Sequence, residues 1–278
     1  MAEAAGGPDG AADERLSVLS LDGRHLLNVQ LSELTVPEGL PEATYVGLLR
    51  HAMNAQYTAG AVLYHCQELA LKYAQVRNDA IRIRQRLPIE GKFFSFQGQS
   101  APYYEVEALI TASRRAYDSL RYILWKTFGT DDRSIPSNFA KTLAACTKMP
   151  DSLRASLEAS WLSFGTTMTA YRDCIQHYAP VTFGIETASL EELAGDAWSV
   201  RIRLPDNPGA RSQNAFTFAA GLDALTYGWE LANEVFRVAT QVFASISTQA
   251  VPTADPATEQ DGPTRAVGSS VRLPPNGR

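Results

Sequence analysis

The large apolar residues of 157–180 fall at Leu157, Trp161, Phe164, Met168, Tyr171, Ile175 and Tyr178, in alternating steps of four and three. That spacing is a heptad seam, and it specifies a helix packed lengthwise against other helices. Pro180 stops it, because proline disfavours helical geometry in the residue before it and so puts the boundary at Ala179. The seam ends in the tightest polar cluster of the chain: Arg172, Asp173 and, five positions after the arginine, His177. Five residues of a regular helix turn about 500°, so Arg172 and His177 point about 140° apart. One site can use both only where the helix loosens ahead of Pro180, or where two chains share the site.

Two more stretches show the helical period. A proline-free run over 44–87 reads as one helix of about 60 Å, weakened only at Gly47 and Gly60; a kink near Gly60 or a split into two helices is the alternative. Its basic end, with Arg77, Arg82, Arg84 and Arg86, fits a solvated face whose charge favours the C-terminal dipole. Over 103–128, Val106, Leu109, Ile110, Tyr117, Leu120, Leu124 and Phe128 form a stripe that Gly129 closes. A short helix is expected from Pro136-Ser137 to about Lys148, and a last one over 214–247.

The β content is small. Asp22-Gly23 predicts a hairpin over 15–33, since type I′ turns need positive φ at both central positions. Residues 36–41 read as a loop. The stretch around Phe93, Phe94 and Phe96 reads as a loop whose rings plug the bundle end. Alternation at 181–185 and 198–204 predicts a strand pair, with 188–197 as a loop or one helical turn. The fold class is therefore mainly α, a helical bundle over 44–249 with two small β additions, a hairpin and an insertion at 181–204. The ends, 1–14 and 250–278, have little to bury and are expected to be disordered.

Composition removes several function classes. With 25 Lys and Arg against 30 Asp and Glu, the net charge is −5, which excludes a uniformly basic nucleic-acid binder and leaves room for a local patch. No apolar run is long enough to cross a bilayer, and the N-terminus lacks a signal layout, so no membrane is expected and a cytoplasmic setting is. Cys66, Cys146 and Cys174 are odd in number and form no CxxC pair, so no disulfide framework, zinc site or other cofactor is indicated. Cys174 lies inside the polar cluster, with His177 three positions on, and reads as an inert buried residue rather than a nucleophile. His25 and His51 lack ligand partners at i+3 or i+4, His65 has only Glu68 there, and all three read as core or surface histidines. Glu105/Glu107 and Glu191/Glu192 have surface spacing rather than acid/base geometry. No P-loop, serine elbow or HExxH is present.

The run Tyr171-Arg172-Asp173-Cys174-Ile175-Gln176-His177-Tyr178 resembles the motif of the HEPN superfamily, the higher eukaryote and prokaryote nucleotide-binding domains. Their signature is an arginine, usually followed by a polar residue, and a histidine four to six residues on, in an all-α bundle. Arg172, Asp173 and His177 take those positions. The resemblance covers mainly 44–178, and 107–129 looks like an earlier helix of such domains. It implies a HEPN-like bundle and a metal-independent endoribonuclease of a toxin–antitoxin or phage-defence system. It also implies a homodimer in which two motifs meet, RNA as substrate, and an antitoxin or other protein partner. Other members are non-catalytic interaction modules.

The residue types suit that chemistry. Cutting RNA through its own 2′-hydroxyl needs proton transfer near neutral pH, which histidine supplies, and a fixed cation on the phosphorane oxygens, which suits Arg172. Asp173 would orient Arg172 or His177. Arg114, Arg115 and Arg121 are the local candidates for RNA contact. The plainer reading stands beside this one: Arg172 pairs with Asp173 at the surface and His177 caps a helix end.

Overall fold

The computed structural model describes residues 42–87, 93–96, 100–129, 134–181, 188–192 and 198–249. The hairpin expected over 15–33, the loop 36–41 and both terminal tails lie outside the described residues, as does the strand expected at 181–185 apart from Val181.

Helix α1 runs Glu42–Arg86 and α2 runs Ala101–Phe128. They are antiparallel neighbours: His65 meets Glu105 near one end, and His51 stacks on Tyr122 towards the other. α1 passes through Gly60 as one unbroken helix, so the split into two helices left open there is absent; its 45 residues span about 67 Å. The side of α1 facing the bundle is lined by Ala52, Ala55, Ala59, Val62, Leu63, Cys66 and Leu69, all buried. Its opposite side exposes Val46, Met53, Tyr57, Tyr64 and Leu71.

The short α3 is Phe139–Ala145, capped by Asn138, whose side chain accepts from the Lys141 N–H at 2.9 Å. It starts later than Pro136-Ser137 suggests, because the asparagine is the better N-cap. The heptad helix is two helices, α4 (Asp151–Ser160) and α5 (Thr166–His177), joined by a π-helical turn at Trp161–Gly165. The turn shifts the phase of the seam. Leu157, Met168 and Tyr171 stay buried, but Gly165 and Cys174 join them, Ile175 is half-buried and Tyr178 is exposed. Hydroxyls of Ser163, Thr166 and Thr169 each donate to the carbonyl four residues back, which slackens the helical ladder here. Gly165 leaves space for the Trp161 indole, which a Cβ would overlap.

Three strands form one antiparallel sheet in the order β1 (Phe93–Phe96), β2 (Ala188–Glu192), β3 (Trp198–Ile202). Phe93 is in register with Glu191, and Leu190 with Val200. Two expectations are corrected here: the phenylalanine-rich segment is a strand rather than a loop, and 188–192, expected as a loop or helical turn, is the central strand. The strand expected at 198–204 is present as β3.

The last helix, α6, is Ala224–Gln249, ten residues later than expected at its start. Residues 206–221 are held instead by Asp206 and Asn207. Asp206 accepts from the Ala220 N–H, and Asn207 both accepts from Thr217 and donates to Ala215. Gly221, at φ 62°, takes a left-handed turn that a helix cannot contain. Asp223 then caps α6 by accepting from the Thr226 N–H at 3.1 Å. α6 lies across α1 and α2 at Gly228, where a Cβ would come within 2.8 Å of Leu109 and 3.0 Å of Leu69.

Three tyrosines tie the helices to the run leaving β3. Tyr73 of α1 donates to Asp223 at 2.8 Å and lies 3.4 Å from the Ile202 carbonyl. Tyr103 of α2 donates to the Arg203 carbonyl at 3.2 Å, and Tyr171 of α5 to the Pro205 carbonyl at 2.5 Å. The other side of α2 ends at Gly129, whose backbone is extended rather than left-handed; glycine is needed there because a Cβ would lie 2.5 Å from the Trp125 carbonyl oxygen.

Burial of acidic side chains makes stability fall at alkaline pH. Desolvation pushes the Cys66 thiol up to about 12 and the Tyr117 phenol up to about 12. Both protons are held more tightly in the folded chain, so this stability is whole below the unfolded values of 9.0 and 10.0 and drains as pH rises towards 12. Melting temperature should therefore decline from about pH 9 upward. In a pH jump, tyrosinate absorbance of the buried rings should appear together with loss of helical circular dichroism; appearance well before unfolding would contradict the burial.

Candidate functional site

α5 carries the motif on its last two turns. Arg172 Nη1 donates to Asp173 Oδ1 at 2.8 Å, and both side chains are partly open to solvent. His177 is exposed, and its ring lies edge-on to Tyr178 with centroids 6.2 Å apart. The helix runs through His177, and the Tyr178 and Ala179 N–H groups then share the Cys174 carbonyl as it ends. It loosens only at Tyr178, whose backbone (φ −129°, ψ −56°) is no longer helical, one residue too late to turn His177 towards Arg172. Within one chain the two side chains therefore keep their angular separation of about 140° and a rise of about 7.5 Å.

The end of α5 is anchored from three directions. Glu107 of α2 accepts from the Val181 N–H at 2.9 Å, which fixes the chain just past Pro180. Burial raises the pKa of Glu107, and that hydrogen bond opposes the rise. The Cys174 thiol is shared between the carbonyls of Ala179 and Ala210 at 3.5 and 3.6 Å, and burial raises its pKa. It is a buried packing and tethering group. Arg211 approaches the Tyr178 ring to 5.6 Å, bringing a second cation to the helix end.

The arginines proposed for RNA contact are not one surface. Arg114 bonds Thr169 at 3.3 Å, pairs with Asp118 at 3.5 Å and is mostly buried. Arg121 donates to the Pro136 carbonyl at 2.8 Å and is likewise mostly buried. Both brace α2 against its neighbours. Arg115 is exposed and points about 100° away from Arg114. In the basic end of α1, Arg84 stacks on Trp198 of β3 at 3.9 Å and Arg82 pairs with Asp79, so that end is in part structural.

The other described histidines are engaged. His65 Nδ1 lies 2.9 Å from Glu105 Oε2 on the neighbouring helix. His51 stacks on Tyr122 with centroids 4.7 Å apart; burial first, then Arg50 and Lys126, lower its pKa. Sequence reasoning missed the role of Glu107, and its spacing from Glu105 carried the only available signal. Two positions apart on a helix, they serve opposite flanks of α2. Among the described residues, no group of three or more His, Cys, Asp or Glu is placed to hold a metal ion, and no helix is long and apolar enough to cross a membrane.

The fold thus defines a mainly helical bundle carrying a small antiparallel sheet. Comparison of the chain with protein-family models, curated proteins and solved structures finds no match.

Proposed function

We propose that this chain is a HEPN-like endoribonuclease acting at the end of α5. The observation that carries the reading is that Arg172, Asp173 and His177 all reach solvent on the last two turns of one bundle helix, while the other described histidines are half-buried and engaged with α2. Asp173 holds the Arg172 guanidinium, which would neutralise the phosphorane oxygens. His177 would take up the proton of the attacking 2′-hydroxyl. The new O2′–P bond forms as the P–O5′ bond breaks, and the leaving 5′-oxygen takes a proton, giving 2′,3′-cyclic phosphate and 5′-hydroxyl ends. Since the two side chains diverge within one helix, the site is shared: Arg172 of one chain works with His177 of a second copy. A toxin–antitoxin or phage-defence setting goes with this reading.

The test uses purified wild type, His177→Ala and Arg172→Ala with total RNA in EDTA, followed by end-group mapping. Wild type should cleave and leave cyclic phosphate ends. Each variant should lose about 100-fold or more in rate. Both should melt within about 1 °C of the parent, since exposed side chains contribute little to folding. No cleavage by wild type at high protein would reject the nuclease. A non-catalytic interaction module of the same fold is the second reading, and the exposed apolar side of α1 favours it.

A further inference from the structure

We propose that the outer side of α1 is a homodimer seam, in which α1 packs antiparallel against α1 of a second copy about a two-fold axis near residues 58–59. The seam is Val46, Arg50, Met53, Tyr57, Gly60, Tyr64, Gln67 and Leu71, again in steps of four and three. Five of these are large apolar residues left open: Val46 55%, Met53 61%, Tyr57 72%, Tyr64 54% and Leu71 54% exposed. At ~200 Å² per fully exposed side chain, they present on the order of 600 Å² in one line. That is the upper end of the largest apolar patch on a typical monomer, where such patches are often functional, and it approaches the ~800 Å² each partner gives to a stable interface.

The pattern specifies the second copy and its direction. In an antiparallel pair, seam positions of one helix face the alternate seam positions of the other. Val46 then meets the partner's Leu71, Met53 meets the partner's Tyr64, and Tyr57 meets the partner's Gly60. Gly60 has open space where a Cβ would stand, so the most exposed ring of the seam faces its one gap. Arg50, the one cation of the seam, faces the partner's Gln67 and lies beside the partner's Glu68, a carboxylate that also pairs with Lys72 of its own chain at 3.9 Å. A parallel pair would instead set Arg50 against Arg50 and Gly60 against Gly60, with like charge at one layer and a hole at another. An antiparallel pair shifted by one heptad one way would leave Val46 facing the partner's Asn78 and Tyr57 facing the partner's Gln67. Shifted the other way, it would pair Val46 with the partner's Tyr64 and Met53 with the partner's Tyr57 but set Arg50 against the partner's Gly60 and leave Leu71 beyond the partner's α1.

This seam is separate from the end of α5. Glu105 meets α1 and Glu107 meets the chain after α5, and the two point about 200° apart on α2. α1 and α5 thus flank α2 on opposite sides, so an α1 dimer does not bring two Arg172–His177 motifs together. Its failure and the failure of the nuclease reading are distinct results.

Sedimentation velocity of the full chain at micromolar concentration should show at least a dimer, and a tetramer or larger where the α5 ends pair as well. Each seam residue enters a two-fold interface twice, so Tyr57→Glu should weaken association roughly thirtyfold or more. Helical circular dichroism should stay unchanged; Met53→Lys supplies the same reading if Tyr57→Glu loses helix content. For direction, Met53→Cys chains mixed with Tyr64→Cys chains should form a disulfide-linked pair under mild oxidation, and neither variant alone should do so. A monomeric wild type, a Tyr57→Glu protein whose assembly matches the parent's at every concentration, or Met53→Cys chains cross-linking to each other would overturn the proposal.

Discussion

An Asp223→Ala protein should melt about 6–12 °C below the parent, the shift expected for a loss of about 3 kcal/mol in a domain of this size. Asp223 joins three parts of the fold. One carboxylate oxygen accepts from the Tyr73 hydroxyl at 2.8 Å and from the Ile202 N–H of β3 at 3.0 Å; the other accepts from the Thr226 N–H at 3.1 Å. Tyr73, buried, also accepts from the Leu225 N–H at 3.0 Å. Truncation removes an N-cap, worth about 1 kcal/mol, and strips two inner donors of their acceptor at about 1 kcal/mol or more each. Asp223→Asn should recover little. Both carboxylate oxygens accept, and an amide must turn its NH2 towards donors on one side or the other. Tyr73→Phe, which leaves only the Leu225 N–H without its acceptor, should cost about 1–2 kcal/mol. Thermal melts followed by circular dichroism read all three. An Asp223→Asn protein as stable as the parent would show that the two oxygens do not both accept.

Asp223 also marks where the fold stopped being legible. The helical period identifies α1 and α2 because both are long, lack internal proline and carry wide apolar stripes. Near α6 the same period runs on too early, since Phe216, Leu222 and Leu225 fit a helix, while Gly221 and the Asp223 cap decide the start. The π turn is hidden for a related reason. Steps of four and three describe a regular helix equally well, and the signals against one are three hydroxyls and a glycine. β1 has only four residues, and its partner lies far along the chain, so no local pattern could reveal the pairing.

At the site, what adjacency fixes was readable and what tertiary packing fixes was not. Arg172 and Asp173 are neighbours and do pair. Glu107, which holds the chain beyond α5, is recruited from another helix. Arg114 and Arg121 look free in the sequence but brace α2 through Thr169 and Pro136. The outer seam of α1 was present in the spacing as well. It is masked there because α1 carries a second, inner apolar side, and one-dimensional periodicity does not say which of two stripes the core covers.

The largest stability loss should come from Tyr117→Ala, at about 4 kcal/mol or a fall of about 8–16 °C in melting temperature. The Tyr117 ring is fully buried between Phe139 of α3 and Trp161 of the π turn, edge-on to both with centroids at 5.1 and 5.7 Å. Its hydroxyl bonds Ser160 at 2.8 Å, at the last residue of α4. Alanine leaves a cavity where three elements meet and a buried Ser160 hydroxyl without that partner. Tyr117→Phe keeps the ring and should cost only about 1–2 kcal/mol, which separates packing from hydrogen bonding. The loss should be felt along the motif helix, because Trp161 is the side chain that the π turn and Gly165 are built around. Hydrogen exchange should therefore accelerate through 161–171 in Tyr117→Ala and stay near parental rates at the α1–α2 pairing. Equal acceleration in both places would mean that the chain opens only as a whole, and that α4 and α5 have no independent attachment to lose.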